Sequence, residues 1–520
     1  MSKKSALFII SILVLLLAGS GVLFLPLPFT RDQGIYAYLG WCWLGEWYPY
    51  QYAFGHKGPW LYLIYAISLQ LSRGAGWGVN LADLLSRGLS LILLFIFAEK
   101  IFGRKKALLG AFLFFLPLFS IFSSCWWNAQ AETFMMPLAI LVVVFALLSW
   151  EEKGFLKGLI FCFLSGLGAS QLLMFKPSSF WLGLGIFLFL LIFLRDKKTI
   201  FSFLFGAGLG IIIWLIYFWI RGIGREFFEE VILFNLVHLQ ASRGDCSELG
   251  KIFLKRLWLI FSAGIFLLPA GIYLASKKIK EPELALIFIW FLASLLELLS
   301  QFRFFLYHFV LLLAPFSLIL LLGWEASRKR SWRILYLLVV LFWSASSFRF
   351  YILLQRHYQT YSYLRGKISQ GEFYSRFAEP REGKKKDFNL YASWVVADYI
   401  RKHTGAGDFV LVFGYEPGIN YLSARRAPSR FHSDYPLTFE PKNRWAENLQ
   451  KRWRKIFLND LNQNPPRLVI LVHNDINALE KIDSYHQAKN FKEFWSWLNQ
   501  NYQAKERIED FQFFWRKENG

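Results

Sequence analysis

Long apolar runs separated by short basic turns dominate this sequence, and a lipid bilayer is the solvent that best accommodates them. Ala6–Pro28 carries no charge over more than 20 positions, enough for a helix to span hydrocarbon. Its apolar core exceeds that of a cleaved signal peptide, so it reads as a first, retained span. Further runs follow at Leu81–Phe102, at Ala107–Ser123 and in a stretch ending near Trp150. Gly154–Leu194 is too long for one helix and is broken at Lys176-Pro177, because proline removes a backbone donor. Phe201–Ile220, Trp258–Ala275, Leu284–Ser300, Phe304–Leu322 and Ile334–Leu354 complete about 11 expected spans. The Lys/Arg clusters at residues 104–106, 195–198, 277–280 and 328–330 fall on one side of this topology. That places the N-terminus in the cytoplasm and the C-terminal part outside a multi-pass cell (plasma) membrane protein.

Composition agrees. Of 520 residues, 55% are hydrophobic and only 18% charged, which excludes an ordinary soluble protein of this length. The formal net charge of +22 fits basic inner loops and attraction to anionic membrane lipids. No nucleic-acid-binding motif accompanies it, so nucleic acid is not expected as a partner. Cys42, Cys125, Cys162 and Cys246 show no metal-ligand spacing. No metal or cofactor is implied, and a disulfide among Cys42, Cys125 and Cys246 stays open.

The expected organisation is a mainly α, polytopic membrane bundle over residues 1–354, a charged linker at 355–387 and a small extracytoplasmic α/β domain at 388–520. The last follows from alternation: a helix VVADYIRKH, a strand FVLVF, a short helical piece, a strand LVILVH and a helix FKEFWSWLNQNY. No phosphate-cradling glycine motif occurs there.

Within the membrane part, the outer loop at 29–80 holds an isolated acid, Asp32, beside Gln33 and Tyr36, then the basic pair His56-Lys57. Pro59–Leu71 reads as a helix lying at the interface, with Lys57 just before it at the depth of lipid phosphates. Asp32 is either a solvated boundary charge or a general base. Lys57 is either a snorkelling lysine or a phosphate ligand. Glu132, following Asn128, begins the fourth span and complements a helix N-terminus or faces a polar cavity. Lys176, at a hairpin tip, has the same two readings. Arg303, Tyr307 and His308 cluster near the outer end of the tenth span, with Arg303 and Tyr307 four apart on a shared helix face. They anchor the interface or bind phosphate.

The order R-D-Q-G-x-Y, G-x-x-Y-P-Y and H-K-G-P after one span, with NAQAETF, FKP and RFFLYHF further on, resembles GT-C glycosyltransferases of the bacterial family 39 type. These are related to protein O-mannosyltransferases and to the aminoarabinose transferases of lipid A. The tail from VADYIRKH to RRAPSR resembles the C-terminal domain of many bacterial members. The resemblance implies an inverting transfer from a polyprenyl-phosphate sugar donor to an acceptor hydroxyl on a glycan, lipid or protein. Asp32 takes the place of the catalytic base and Lys57 that of the lysine contacting the donor phosphate, with His56, Arg303 and His308 near it. Gln33, Tyr36, Asn128, Glu132, Lys176 and Tyr307 fall around the substrate pocket. Many relatives carry Asp-Glu where this chain has Asp32-Gln33, and Lys-Pro-Pro where it has Lys57-Gly58-Pro59.

The residues also support this chemistry by themselves. A lipid-linked monophosphate needs a membrane site, and its phosphate can be neutralised by Lys and Arg without a metal. A transporter or flippase of lipid-linked glycans is the rival reading. It predicts polar residues along a transmembrane path and paired, broken helices in two halves.

Overall fold

The computed structural model describes residues 3–120, 128–152, 154–194, 196–242, 246–261, 267–326, 334, 357–376, 390–416, 418–476, 480 and 482–517. Contacts divide the chain into two compact units. One contains Met1–Pro26, Val79–Arg221 and Arg243–Tyr358; the other contains Leu27–Gly78, Gly222–Ser242 and Gln359–Gly520.

The first unit is helical. Among the described residues six helices are long and apolar enough to cross a membrane: Trp77–Phe102, Ala131–Glu151, Phe155–Leu173, Lys197–Arg221, Pro282–Ser300 and Leu306–Trp324. Phe8–Gly19 and Pro177–Phe193 are apolar but shorter. The expected span Ile334–Leu354 and the middle of Trp258–Ala275 lie outside the described residues, apart from Ile334 itself. The break at Lys176-Pro177 occurs as expected. Lys176 is extended, as the residue before a proline prefers, and a 3-10 turn at Pro177–Ser179 opens the returning helix Phe180–Phe193.

Between helices in lipid, association depends on close packing and interhelical hydrogen bonds rather than on release of water. The Phe155–Leu173 and Lys197–Arg221 helices meet through glycines. A Cβ on Gly166 would lie 2.0 Å from the Phe203 carbonyl oxygen, and one on Gly206 would lie 2.2 Å from that of Phe163. Hydroxyls reinforce the bundle: Ser165 Oγ donates to the Val142 carbonyl at 2.9 Å, and Ser202 Oγ to the Leu159 carbonyl at 2.7 Å. Trp214 Nε1 donates to Gln171 Oε1 at 3.0 Å.

The second unit joins three segments distant in sequence. Its sheet has the order β1 (Val410–Phe413), β2 (Leu468–Val472), β4 (Phe511–Arg516), β3 (Tyr502–Ile508); β1 and β2 are parallel and the other pairs antiparallel. Alternation along β1 sends Val410 and Val412 to one core with Val396, Ile400 and Phe513. Leu411 and Phe413 go to the other, with Trp453, Phe457 and Phe494 from helices Arg444–Gln463 and Lys492–Asn501. Phe54 and Phe234 belong to this second core, their rings 5.3 and 5.7 Å from Trp453.

The helix Pro59–Leu71 matches the sequence reading. Residues 31–44, read as loop, are instead a helix, Arg31–Leu44. A capping box starts it: the Gln33 Oε1 accepts from both the Thr30 amide and the Thr30 hydroxyl at 2.7 Å. The two helices close on each other at Gly40, where a Cβ would sit 2.8 Å from the Ala66 nitrogen. Cys42 and Cys162 are buried free thiols; Cys125 and the side chain of Cys246 lie outside the described residues.

Because the Gly166 contact is with backbone, Gly166→Val is expected to lower stability by ~1–3 kcal/mol, the usual range for overpacking. Gly208→Ala, where nothing lies within 4 Å of the new Cβ, is expected to leave thermal unfolding of the detergent-solubilised protein unchanged.

Candidate functional site

The expected site residues divide between the units: Asp32, Gln33, Tyr36, His56 and Lys57 in the second, and Asn128, Glu132, Lys176, Arg303, Tyr307 and His308 in the first.

In the second unit, Asp32 lies half-buried in the first turn of the Arg31–Leu44 helix, where the helix dipole favours a carboxylate. Its neighbours are fixed. Gln33 is buried and serves the cap. Tyr36 packs edge-on against Tyr65, ring centroids 5.6 Å apart, and tilted against Tyr62 at 6.2 Å. Arg31 donates through Nε and Nη2 to Glu416 Oε1 at 3.0 and 2.9 Å. Gly34 brings this turn against the helix Gly418–Ser423 of the same unit: a Cβ there would lie 2.8 Å from the Gly418 Cα. That contact accounts for the glycine of the R-D-Q-G string.

Lys57 is buried, and both polar groups of its backbone are held by tyrosines. Its N–H donates to Tyr62 Oη at 3.0 Å, and its carbonyl accepts from Tyr50 Oη at 2.9 Å. Next to it, Asn235 Nδ2 donates to the His56 carbonyl at 2.7 Å, and the His56 ring lies 5.4 Å from that of His238. Tyr50 has a φ of 73°, a left-handed conformation that costs an ordinary residue roughly 1–2 kcal/mol. Its N–H bond to the Ala53 carbonyl at 2.8 Å helps to hold it there.

A further group here is absent from the sequence reading. Phe228–Leu233 forms a π-helical turn carrying Glu229 and Glu230. Glu230 is 0% exposed; its Oε2 accepts from the Gly55 N–H at 2.7 Å, and its Oε1 lies 3.3 Å from Arg430 Nη1. Burial holds its carboxyl well above the ordinary value, against the pull of Arg430. Glu229 goes the other way. Burial acts to raise it, but bonds from Trp453 (3.0 Å), Arg225 (2.8 Å) and Arg452 (2.7 Å) outweigh that and lower it. The partners of Glu230 stand 175 and 200 positions away, so no local pattern could have signalled it. Paired glutamates in a run of phenylalanines were the visible trace.

In the first unit, Glu132, Lys176 and His308 come together. The Lys176 ammonium bonds the Glu132 carboxylate and also donates to Gln301 Oε1 at 2.6 Å. His308 Nε2 lies 4.0 Å from Glu132 Oε1, while its Nδ1 is 2.6 Å from the Arg303 carbonyl oxygen. Tyr307 stacks edge-on against the His308 ring. Arg303 and Tyr307 do not share a helix face, contrary to the expectation. Residues 303–305 are irregular, with Phe305 extended, and a 3-10 turn begins only at Leu306, because Phe302 takes a left-handed φ of 50° and ends the preceding helix. Further buried charges here are not singled out by the sequence. Glu297 is buried and accepts from Ser178 Oγ at 3.2 Å. Asp83 and Arg87 form a buried pair at 2.8 Å inside an apolar helix. That pair braces Asn128: Arg87 Nη2 donates to Asn128 Oδ1 at 3.1 Å, and Asp83 Oδ1 accepts from the Ala129 N–H at 2.8 Å. Charged residues four apart in a hydrophobic run were the available signal.

Among the described residues, no group of three or more His, Cys, Asp or Glu side chains is arranged to hold a metal ion.

Residues 56–220 match the family described as dolichyl-phosphate-mannose-protein mannosyltransferase. No curated protein matches the sequence. The structure is similar to ArnT from Cupriavidus metallidurans in the apo state, at 13% identity and a TM-score of 0.61, covering 98% of this chain and 97% of that one. It is similar to the same protein bound to undecaprenyl phosphate, at 12% identity and a TM-score of 0.60, with 99% and 98% covered. It also resembles the oligosaccharyltransferase AglB from Archaeoglobus fulgidus in complex with an inhibitory peptide and a dolichol-phosphate, at 12% identity and a TM-score of 0.52, with 99% and 74% covered. The fold is thus the GT-C fold of membrane glycosyltransferases, as the ordered motifs imply.

The Arg31–Glu416 contact yields a pH signature. Burial pushes the Glu416 carboxyl from its ordinary 4.5 up to about 8, with Arg31 drawing it back down. Between those values the unfolded chain has released a proton that the folded chain keeps, so this contribution weakens as pH rises through the window. Thermal unfolding followed across it is expected to show a decline in wild-type protein that Glu416→Gln flattens.

Proposed function

We propose that this chain is an integral-membrane, inverting glycosyltransferase that moves a sugar from a polyprenyl-phosphate-linked donor to an acceptor hydroxyl on the extracytoplasmic face. The N-terminus is cytoplasmic, and the soluble domain at 388–520 lies outside. Asp32 is the base that takes the proton of the acceptor hydroxyl. The acceptor oxygen bonds to the anomeric carbon as the bond to the donor phosphate oxygen breaks. The polyprenyl phosphate leaves with that electron pair, its charge offset by Lys57 with His56. Tyr36 serves the substrate beside Asp32, Gln33 acts through the helix cap, and Asn128, Glu132, Lys176, Arg303, Tyr307 and His308 are the substrate-binding residues of the first unit.

The observation that carries this reading is the nearly full-length likeness to ArnT, whose structure holds undecaprenyl phosphate. It is supported by the bound dolichol-phosphate of AglB and by a family match that opens at His56. Asp32 has the exposure a base needs to reach an acceptor. The acceptor is a glycan, a lipid or a protein.

Loss of a positioned general base typically lowers rate ~10²–10⁴-fold, and Asp32→Asn is expected to fall in that range. The check is mass spectrometry of envelope glycans and glycoproteins from a deletion strain and an Asp32→Asn strain. The same glycoconjugate should be missing from the deletion strain and reduced in the variant. An unchanged product in the Asp32→Asn strain removes Asp32 from its role.

A further inference from the structure

Four hydrogen bonds converge on the backbone of three residues, Gly55 to Lys57. Glu230 takes the Gly55 N–H, Asn235 supplies the His56 carbonyl, Tyr62 takes the Lys57 N–H and Tyr50 supplies the Lys57 carbonyl. One residue earlier, the Phe54 N–H donates to the Arg430 carbonyl at 2.8 Å. A glycine is required within this frame, since a Cβ at Gly55 would lie 2.6 Å from the Tyr62 hydroxyl. An ordinary surface loop leaves such groups to water. Here polar side chains from the first outer segment and from residues 222–242 bind them instead, and the side chains of Glu230 and Tyr50 are buried to do so. A lysine merely anchoring a helix at the membrane surface has no use for a fixed backbone. A lysine that must meet one phosphate oxygen does, because an electrostatic group stabilises a leaving group only when it is held in place beforehand.

We propose that Tyr50, Tyr62, Glu230 and Asn235 are positioning residues that fix the Lys57 backbone so that its ammonium meets the phosphate of the lipid carrier. This rests on the glycosyltransferase reading above. None of the four need touch the substrate; each acts through Lys57.

The test is a double-mutant cycle on the purified full-length protein, reading its affinity for undecaprenyl phosphate. Tyr50→Phe removes a single hydroxyl, and Glu230→Ala removes the Gly55 and Arg430 partners. Each is expected to weaken binding about tenfold in the wild-type background and to add nothing in a Lys57→Ala background. Glu230→Gln keeps an acceptor for the Gly55 N–H and is expected to recover most of the loss. Equal losses with and without Lys57, or no loss in folded Tyr50→Phe protein, overturn the positioning role. If Lys57→Ala itself binds undecaprenyl phosphate normally, the lipid-phosphate reading of this lysine falls instead, and the positioning role falls with it. Should Glu230→Ala not fold, Tyr50→Phe decides alone.

Discussion

A carboxyl removed from water is pushed toward its neutral form and still needs partners for its oxygens, and Glu230 finds them in two other parts of the chain. Its amide partner, Gly55, lies in the segment Leu27–Gly78, and its guanidinium partner, Arg430, lies in the segment Gln359–Gly520. Removing one side of such a pair typically costs ~3–5 kcal/mol, because the other is left buried without compensation. Across the π-helical turn the two adjacent glutamates share Arg430, 3.3 Å from Glu230 Oε1 and 3.7 Å from Glu229 Oε2, and divide their other partners: Glu230 takes Gly55, while Glu229 collects Arg225, Arg452 and Trp453. Around these contacts Phe54 packs edge to face on Phe234 and Trp453, and Phe234 lies tilted against Trp453. Three segments distant in sequence thereby share one core.

The first unit faces the same constraint with different means. Its buried charges occur where helices start or are interrupted. Lys176 stands beside Pro177, Glu132 opens a helix, and Gln301 and His308 flank the irregular residues 303–305. Freed backbone and side-chain amides at such breaks supply the hydrogen bonds that a continuous helix in lipid keeps to itself. Asp83 and Arg87 are the exception: they sit within a helix and satisfy each other one turn apart, and their remaining capacity organises Asn128 and Ala129.

Features encoded by neighbouring residues were legible in the sequence. The Pro59–Leu71 helix, the hairpin at Lys176-Pro177 and the strands of FVLVF and LVILVH all follow from local periodicity and proline chemistry. The Arg31–Leu44 helix was not among them: its aromatic and glycine content reads as loop, and the Thr30–Gln33 cap that starts it shows only in the structure. Strand Tyr502–Ile508 contains Lys505, Glu506 and Arg507, good helix formers, and only its pairing with Phe511–Arg516 makes it extended. The helix Arg444–Gln463 shows a regular apolar face at Ala446, Leu449, Trp453 and Phe457 that charged neighbours obscure. Of the candidate site, the identities of Asp32, Lys57, Glu132 and Lys176 stood out as charges in apolar surroundings. Their supports did not, because Glu230, Arg430 and Glu297 matter through tertiary neighbours that sequence spacing does not encode.

The bond between Arg31 and Glu416 spans 385 positions. At about 5–20 residues per second of synthesis, the N-terminal member of this pair exists for roughly 20–80 seconds before its partner has been made. During that interval Phe54, Gly55 and the Lys57 segment also lack their C-terminal neighbours, Arg430 and Trp453. The second compact unit is therefore completed late, by the return of the last part of the chain to one of the first. A nascent protein of this design must keep the segment Leu27–Gly78 from wrong pairings for most of its own production.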